Sequence, residues 1–263
     1  MPRIATNQQQ SDFPGIEVHI FENIQLGGTK QPTWLQEHMI GPYWRVYWNN
    51  QPGAFIRVGH NEFELKPDSI TVLSPNTIYN TRLIRPIKHF YVHFSVGRPY
   101  SQTQPALVQL NDDFLIHHAQ QLAAYADQAH NNYRTHIRLH RYLCDVLLKL
   151  PDSWIPPLTE YDPRISHAMT TLENTLGTSN RQLAQHAKMS TNGFLHLFKK
   201  QTGVSPQMFA RKKRLEQAAI LLHYSCNSIE EIAEKTGFSD RYHLSKSFKK
   251  EYRIGPSRFR KNK

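Results

Sequence analysis

Cysteine is nearly absent from the chain: Cys144 and Cys226 are the only two in 263 residues. They lie far apart, form no CxxC pair and have no histidine at zinc-finger spacing, which excludes a zinc ribbon or a disulfide framework. Reduced, buried thiols are the expectation. Long apolar runs are also missing, and no window approaches the roughly 18 apolar residues that a membrane span requires. Met1 to Gln10 shows no basic stretch leading into an apolar run, so no export signal is read and a cytoplasmic location is expected. A hydrophobic fraction of 39% nevertheless allows a packed core.

Acidic residues are scarce in one part only. Residues 164–263 contain 19 Lys+Arg against 7 Asp+Glu, a balance of +12, whereas residues 1–163 carry 13 against 14, or −1. A basic segment beside a neutral one is the footprint of a polyanion partner, because neutralised phosphates release their counterions. Charge alone does not separate DNA from RNA or a membrane surface.

Three zones follow along the chain. From about Phe13 to Val96, short apolar runs are punctuated by Asn50-Gln51-Pro52-Gly53, Lys66-Pro67-Asp68, Ser74-Pro75-Asn76 and Arg85-Pro86. This predicts an all-β sandwich or barrel, with strands over Leu65 to Leu73 and His89 to Ser95. From Asn111 to Leu150 the period becomes helical: Leu115, Leu122 and Tyr125, then Leu139, Leu143, Val146, Leu147 and Leu150. Two amphipathic helices are expected there. Pro151, Pro156-Pro157 and Pro163 make residues 151–163 a stiffened linker between a domain at 1–150 and a helical domain at 164–263.

The helical domain contains a weak repeat of about 50 residues. Leu183-Ala184-Gln185-His186-Ala187-Lys188-Met189-Ser190 precedes Phe198-Lys199-Lys200, and Ile232-Ala233-Glu234-Lys235-Thr236-Gly237-Phe238-Ser239 precedes Phe248-Lys249-Lys250. Each copy reads as helix, tight turn, helix. Ser179 with Gln182 and Ser228 with Glu231 form capping boxes for the first helices. Ala184 and Ala233 are small where helices cross, Met189 and Phe238 fix the turn, and Ser190 and Ser239 are candidate caps for the second helices. Between the copies, Ser205-Pro206 opens a helix to about His223, roughly 27 Å long, against ~34 Å between major-groove faces one turn apart. One chain could then address two consecutive grooves.

These strings, with Gly203-Val204-Ser205-Pro206, Arg214-Leu215-Glu216-Gln217-Ala218 and Gly237-Phe238-Ser239-Asp240, resemble the AraC/XylS family of regulators across residues 164–263. The resemblance implies double-stranded DNA as partner. It places base reading at Asn192, Leu195 and His196 in the first unit and at Arg241, Tyr242, His243, Ser245 and Lys246 in the second. Arg241 or Lys246 suits guanine, Asn192 adenine and Leu195 a thymine methyl. Lys199, Lys200, Lys249 and Lys250 are expected to meet phosphates, which positions the protein without specifying sequence. Two departures stand out: Lys188 where the family favours a small turn residue, and Arg253 where it favours glycine.

The resemblance also implies a cupin-like β-barrel or jelly roll before the two helices, hence an α+β multidomain chain. A metal-binding cupin would place histidines at matched strand positions, yet Tyr79 stands where one often follows the proline turn. The candidate pocket is instead Trp44, Arg45, Trp48 and Arg57 with Tyr79, His89, Tyr91 and His93, where rings stack on a flat ligand and polar tips orient hydroxyls or carboxylates. In arabinose-responsive relatives an aromatic and a histidine of the last strand contact sugar, matching Tyr91 and His89 by position. A small polar effector, such as a sugar, is therefore expected. No metal or cofactor is expected, nor is enzymatic activity. The stripe Leu139, Leu143, Val146 and Leu150 is a candidate homodimer surface, the alternative being packing on its own barrel. Against effector-controlled regulation stands a cupin metalloenzyme with a DNA-binding tail, using His60, His89 and His93. A methyl-accepting repair protein would need an activated cysteine, and neither thiol has an activating motif.

Overall fold

The computed structural model describes residues 15–27, 34–127, 133–157, 159–175 and 177–261. Met1 to Gln10 and Phe13 lie outside them. The N-terminal half is antiparallel β-structure followed by two helices, and the C-terminal half is helical, as the sequence predicts.

Strands β1 (Ile16–Leu26), β2 (Trp44–Asn49), β3 (Ala54–Val58), β4 (Asn61–Leu65), β5 (Ile70–Leu73), β6 (Asn80–Leu83), β7 (Ile87–Val96) and β8 (Leu107–Leu110) form two sheets. Five strands run in the order β1-β7-β2-β5-β8, and three in the order β4-β3-β6. The stretch Leu65 to Leu73 is two strands rather than one, because Pro67 has no backbone N–H to continue a ladder and Lys66 to Ser69 turn instead.

Every residue of β2 is buried, because the five-stranded sheet is covered on both faces. Side chains alternate across a strand, so Trp44, Val46 and Trp48 point one way and Arg45, Tyr47 and Asn49 the other. The first set joins Phe90, Val92 and Phe94 of β7 and packs beneath helices α1 (Asp113–Asp127) and α2 (Tyr133–Leu148). The second set faces the interior between the sheets with Ile56, Leu65, Leu73 and Tyr79. Leu139, Leu143, Val146 and Leu150, the candidate dimer stripe, are all buried in the first core against their own sheet. The helix period was right, but this apolar face is already occupied. Trp154 and Ile155 pack on the same core, so part of the expected linker belongs to it.

The helical half comprises α3 (Pro163–Asn174), α4 (Asn180–His186), α5 (Thr191–Thr202), α6 (Pro206–Tyr224), α7 (Ile229–Lys235), α8 (Arg241–Tyr252) and α9 (Pro256–Lys261). Pro163 opens α3 at its first turn, where its missing N–H costs nothing, and Asp162 caps that helix. Helix α6 spans two cores. Its early residue Ala210 packs with Leu183, Ala184, Phe194 and Phe198, while Leu215, Ala218, Ala219 and Leu222 pack with Ile232, Leu244, Phe248 and Phe259. At about 1.5 Å per residue its 19 residues make a strut of roughly 28 Å. None of the described helices is long and apolar enough to cross a membrane. Cys144 is half-buried and Cys226 exposed, so burial holds only partly for the first thiol and not for the second.

Candidate nucleic-acid interface and domain seam

The two helix-turn-helix units share a local geometry that their sequences specify. Both capping boxes form: Ser179 with Gln182, and Ser228 with Glu231. After each first helix the chain turns identically. The Lys188 and Gly237 amides donate to Gln185 and Glu234 carbonyls at 3.0 and 3.1 Å, and Met189 and Phe238 donate to Ala184 and Ala233 at 2.9 and 2.8 Å. The pivot is left-handed in both, with φ of 52° at Lys188 and 72° at Gly237. A side chain in that region costs about 1–2 kcal/mol. Ser190 caps α5 through the Gly193 amide as expected. In the second unit the cap is Asp240, which accepts from the Tyr242 and His243 amides, while Ser239 Oγ donates to Asp240 at 3.0 Å. The carboxylate displaces the hydroxyl because a charged acceptor holds two helix-terminal N–H groups more strongly.

Helices α5 and α8 present one face to solvent. Asn192, His196, Lys199 and Lys200 of α5 are exposed, as are Arg241, Tyr242, His243, Lys246, Lys249 and Lys250 of α8. Leu195 and Ser245 are half-buried, Leu195 against the first-unit core. Arg241 lies over the Tyr242 ring and donates to its hydroxyl at 2.8 Å, so the pair extends as one unit at the start of α8. Arg214 of α6 donates to the Gly237 carbonyl at 2.9 Å and braces the second turn. Lysines at the helix C-termini, Lys249 and Lys250, also suit the negative end of the helix dipole.

The N-terminal candidates sort by strand register. In the β2–β7 ladder Arg45 sits opposite His93, Tyr47 opposite Tyr91, and Asn49 opposite His89. Arg45, Tyr79, His89, Tyr91 and His93 therefore gather on one face, with Tyr43 and Tyr47. Trp44 and Trp48 are on the other face, in the helix-side core, and Arg57 is exposed on β3, so these three do not belong to the site. Period-two alternation already separates Trp44 and Trp48 from Arg45. His60 is exposed in the turn between β3 and β4 and does not join His89 and His93. No group of three metal-ligating side chains occurs among the described residues.

Within this face, His93 Nε2 hydrogen-bonds Tyr47 Oη at 3.3 Å, and Tyr47 Oη meets Tyr79 Oη at 2.9 Å. His89 Nδ1 is 2.6 Å from Asn49 Oδ1. Burial pushes His89 down to about 3, and burial together with the Arg45 charge holds His93 well below the usual imidazole range. Both rings are neutral at pH 7. Arg45 is fully buried, with its guanidinium 4.5 Å from the Tyr43 ring centre and 5.2 Å from that of Tyr79. Among the described residues, none of its three side-chain nitrogens has a hydrogen-bond partner of normal geometry. Cation–π contacts return about 2 kcal/mol each when desolvated, against a burial penalty of several kcal/mol for the ion.

Two residues of this face come from the other domain. Tyr224, the last residue of α6, places its hydroxyl 2.5 Å from His93 Nδ1. Its ring stacks on His19 at 5.7 Å, and His223 lies 5.8 Å from the Tyr43 ring. Nearby, His38 Nε2 donates to the Tyr252 carbonyl at 3.3 Å and Ile40 packs on the second-unit core. The sequence offered a weak signal for Tyr43, which shares the parity of Arg45 and Tyr47, but none for Tyr224 or His223.

The paired units and their exposed basic helices define a tandem helix-turn-helix DNA-binding domain, and a family model described as a helix-turn-helix domain matches residues 183–262. Residues 183–262 thus carry an AraC-type helix-turn-helix domain, similar to those of known transcription regulators. An uncharacterized HTH-type transcriptional regulator of Haemophilus influenzae is 41% identical over 81 residues, 31% of this chain and 27% of that relative. The raffinose operon transcriptional regulatory protein RafR of Pediococcus pentosaceus is 26% identical over 227 residues, 80% of this chain and 81% of its own length. ToxT from Vibrio cholerae shares the fold, with a TM-score of 0.52 at 13% identity over 92% of this chain and 97% of that one. The chain spans about a quarter of the length of the first curated relatives it matches.

Proposed function

We propose that this protein is a sequence-specific transcription regulator, not an enzyme, that acts in the cytoplasm and whose DNA binding is controlled by a small polar effector held on the Arg45–His93 face. The observation that carries the reading is the pair of helix-turn-helix units joined by α6, with both second helices exposing polar and basic side chains. A strut of roughly 28 Å approaches the ~34 Å spacing of major-groove faces. The near full-length likeness to a raffinose operon regulator supports a sugar or sugar-like effector.

A homodimer fits a different stripe from the one the sequence suggested. Ile137 and Leu148 of α2 are 64% and 78% exposed, and Phe114 of α1 is 47% exposed, on the side away from the sheet. Exposed apolar side chains aligned along a helix pair are costly unless covered.

The test is selection of bound genomic fragments by the purified chain, with and without raffinose, arabinose and rhamnose. A bipartite motif with half-sites about one helical turn apart, altered in occupancy by one sugar, is expected. Binding that shows only steep salt dependence and no preferred sequence would defeat the reading.

A further inference from the structure

We propose that Gln207 and Arg214 are positioning residues that fix the angle between the two helix-turn-helix units, and so set the separation of DNA half-sites that the chain accepts. The inference deepens the DNA-reading proposal above and rests on it.

The two side chains lie seven positions apart on α6, two helical turns, and therefore share one face of the strut. Each reaches a different unit. Gln207 Nε2 donates at 3.1 Å to the Thr178 carbonyl and at 3.1 Å to Asn180 Oδ1. Those residues flank Ser179, the N-cap of α4, so both donors of one amide hold the start of the first unit. Arg214 Nη1 donates at 2.9 Å to the Gly237 carbonyl, and its guanidinium lies 5.5 Å from the Phe238 ring centre. Gly237 is the left-handed pivot of the second turn, three residues before the cap of α8. One position on this face thus holds the entry to α4, and the other the entry to α8.

Apolar packing does not fix this angle finely enough. The first unit meets α6 through the small Ala210 and through Phe209, whose ring is edge-on to Phe198 at 5.9 Å. Ridge-into-groove packing by itself specifies a crossing angle only to about 15–20° either way. B-DNA turns by about 34° per base pair, so that latitude spans neighbouring half-site separations. Hydrogen bonds are restricted in both distance and direction, and two of them at opposite units select one angle within the range. The ion pair of Lys213 with Glu173, at 3.6 Å, also ties α6 to α3, but a rotatable ammonium sets no direction.

The test uses the full chain and duplexes carrying its two selected half-sites at the preferred separation and at one or two base pairs more or less, read by fluorescence anisotropy. Wild type should prefer one separation by roughly tenfold, the discrimination that one mismatched base pair gives. Gln207→Met and Arg214→Met keep an unbranched side chain and remove the donors. Each should lose most of that preference, with affinity falling at the preferred separation and changing little at its neighbours. A merely structural role would lower affinity equally at every separation, and that result overturns the proposal, as does a wild type indifferent to separation. Gln207 is exposed, so its variant gives the answer even if Arg214→Met does not fold. A wild type with no preferred sequence at all overturns the DNA-reading proposal itself, and this one with it.

Discussion

His93 of β7 and Tyr224 at the end of α6, 131 residues apart in sequence, share a hydrogen bond of 2.5 Å that joins the Arg45–His93 face of the β-domain to the helix-turn-helix domain. The same imidazole reaches Tyr47 and, through it, Tyr79 inside the sandwich. One strand residue therefore senses both the interior of the first domain and the position of the strut that spaces the two DNA-reading helices. A ligand needs only a differential affinity for the joined and separated arrangements to alter DNA binding.

Removing that link should be mild in stability and visible in coupling. Tyr224→Phe should cost about 0.5–1.5 kcal/mol, the net worth of one hydrogen bond, in urea unfolding. Effector and DNA titrations should show a weaker mutual effect. An unchanged coupling would place the communication elsewhere.

The buried histidines make the fold acid-sensitive. His89, His93 and His19 all have folded-state values below the ordinary 6.5 because burial disfavours their charged forms. The unfolded chain thus binds more protons below that value. Stability should be level with respect to these groups above about pH 6.5 and should fall as the pH drops toward 3, by up to about 1.4 kcal/mol per pH unit for each fully neutral ring. His89→Gln should flatten the slope of unfolding free energy between pH 6.5 and 5. Equal slopes would show that His89 does not contribute.

Two left-handed side-chain residues store avoidable strain. Lys188 has φ of 52° and Arg253 φ of 66°, the latter at the end of α8 where Gly203 closes α5 at 78°. Lys188→Gly and Arg253→Gly should each stabilise by about 0.5–1 kcal/mol, the relief of the left-handed penalty less the added freedom of the unfolded glycine. Differential scanning calorimetry reads this directly, and a lower midpoint in either variant would contradict it.

Base-facing and phosphate-facing side chains should separate by salt dependence. Arg241→Ala should cost about 1–3 kcal/mol at the preferred site and relax choice at one base pair. Lys249→Ala should weaken all sequences alike and reduce the salt slope by about one. Fluorescence anisotropy across a salt series checks both, and a uniform loss from Arg241→Ala would move that residue to the backbone.

The C-terminal domain was legible because its determinants are local. Capping boxes, the Ser205-Pro206 start and the repeated turn act within a few residues, so strings with the same pattern fold alike. Only the cap of α8 went to a different residue, Asp240 rather than Ser239, and that too was decided by neighbouring groups. The grouping of side chains on the Arg45–His93 face was legible only in part. Alternation along β7 put His89, Tyr91 and His93 on one face, and the same rule applied to β2 would have kept Arg45 and set aside Trp44 and Trp48.

The sequence by itself determined the two helix-turn-helix units, the strut between them, the strand and helix zones and the basic character of the second domain. Tertiary structure decided which faces are covered: that the Leu139 stripe lies on its own sheet, that both faces of β2 are buried, and that Tyr224 reaches His93. The physical reason is range. Caps, turns and periodicity are fixed by residues within one or two helical turns, whereas a hydrogen bond between a strand histidine and a tyrosine 131 residues away exists only once the two domains have met.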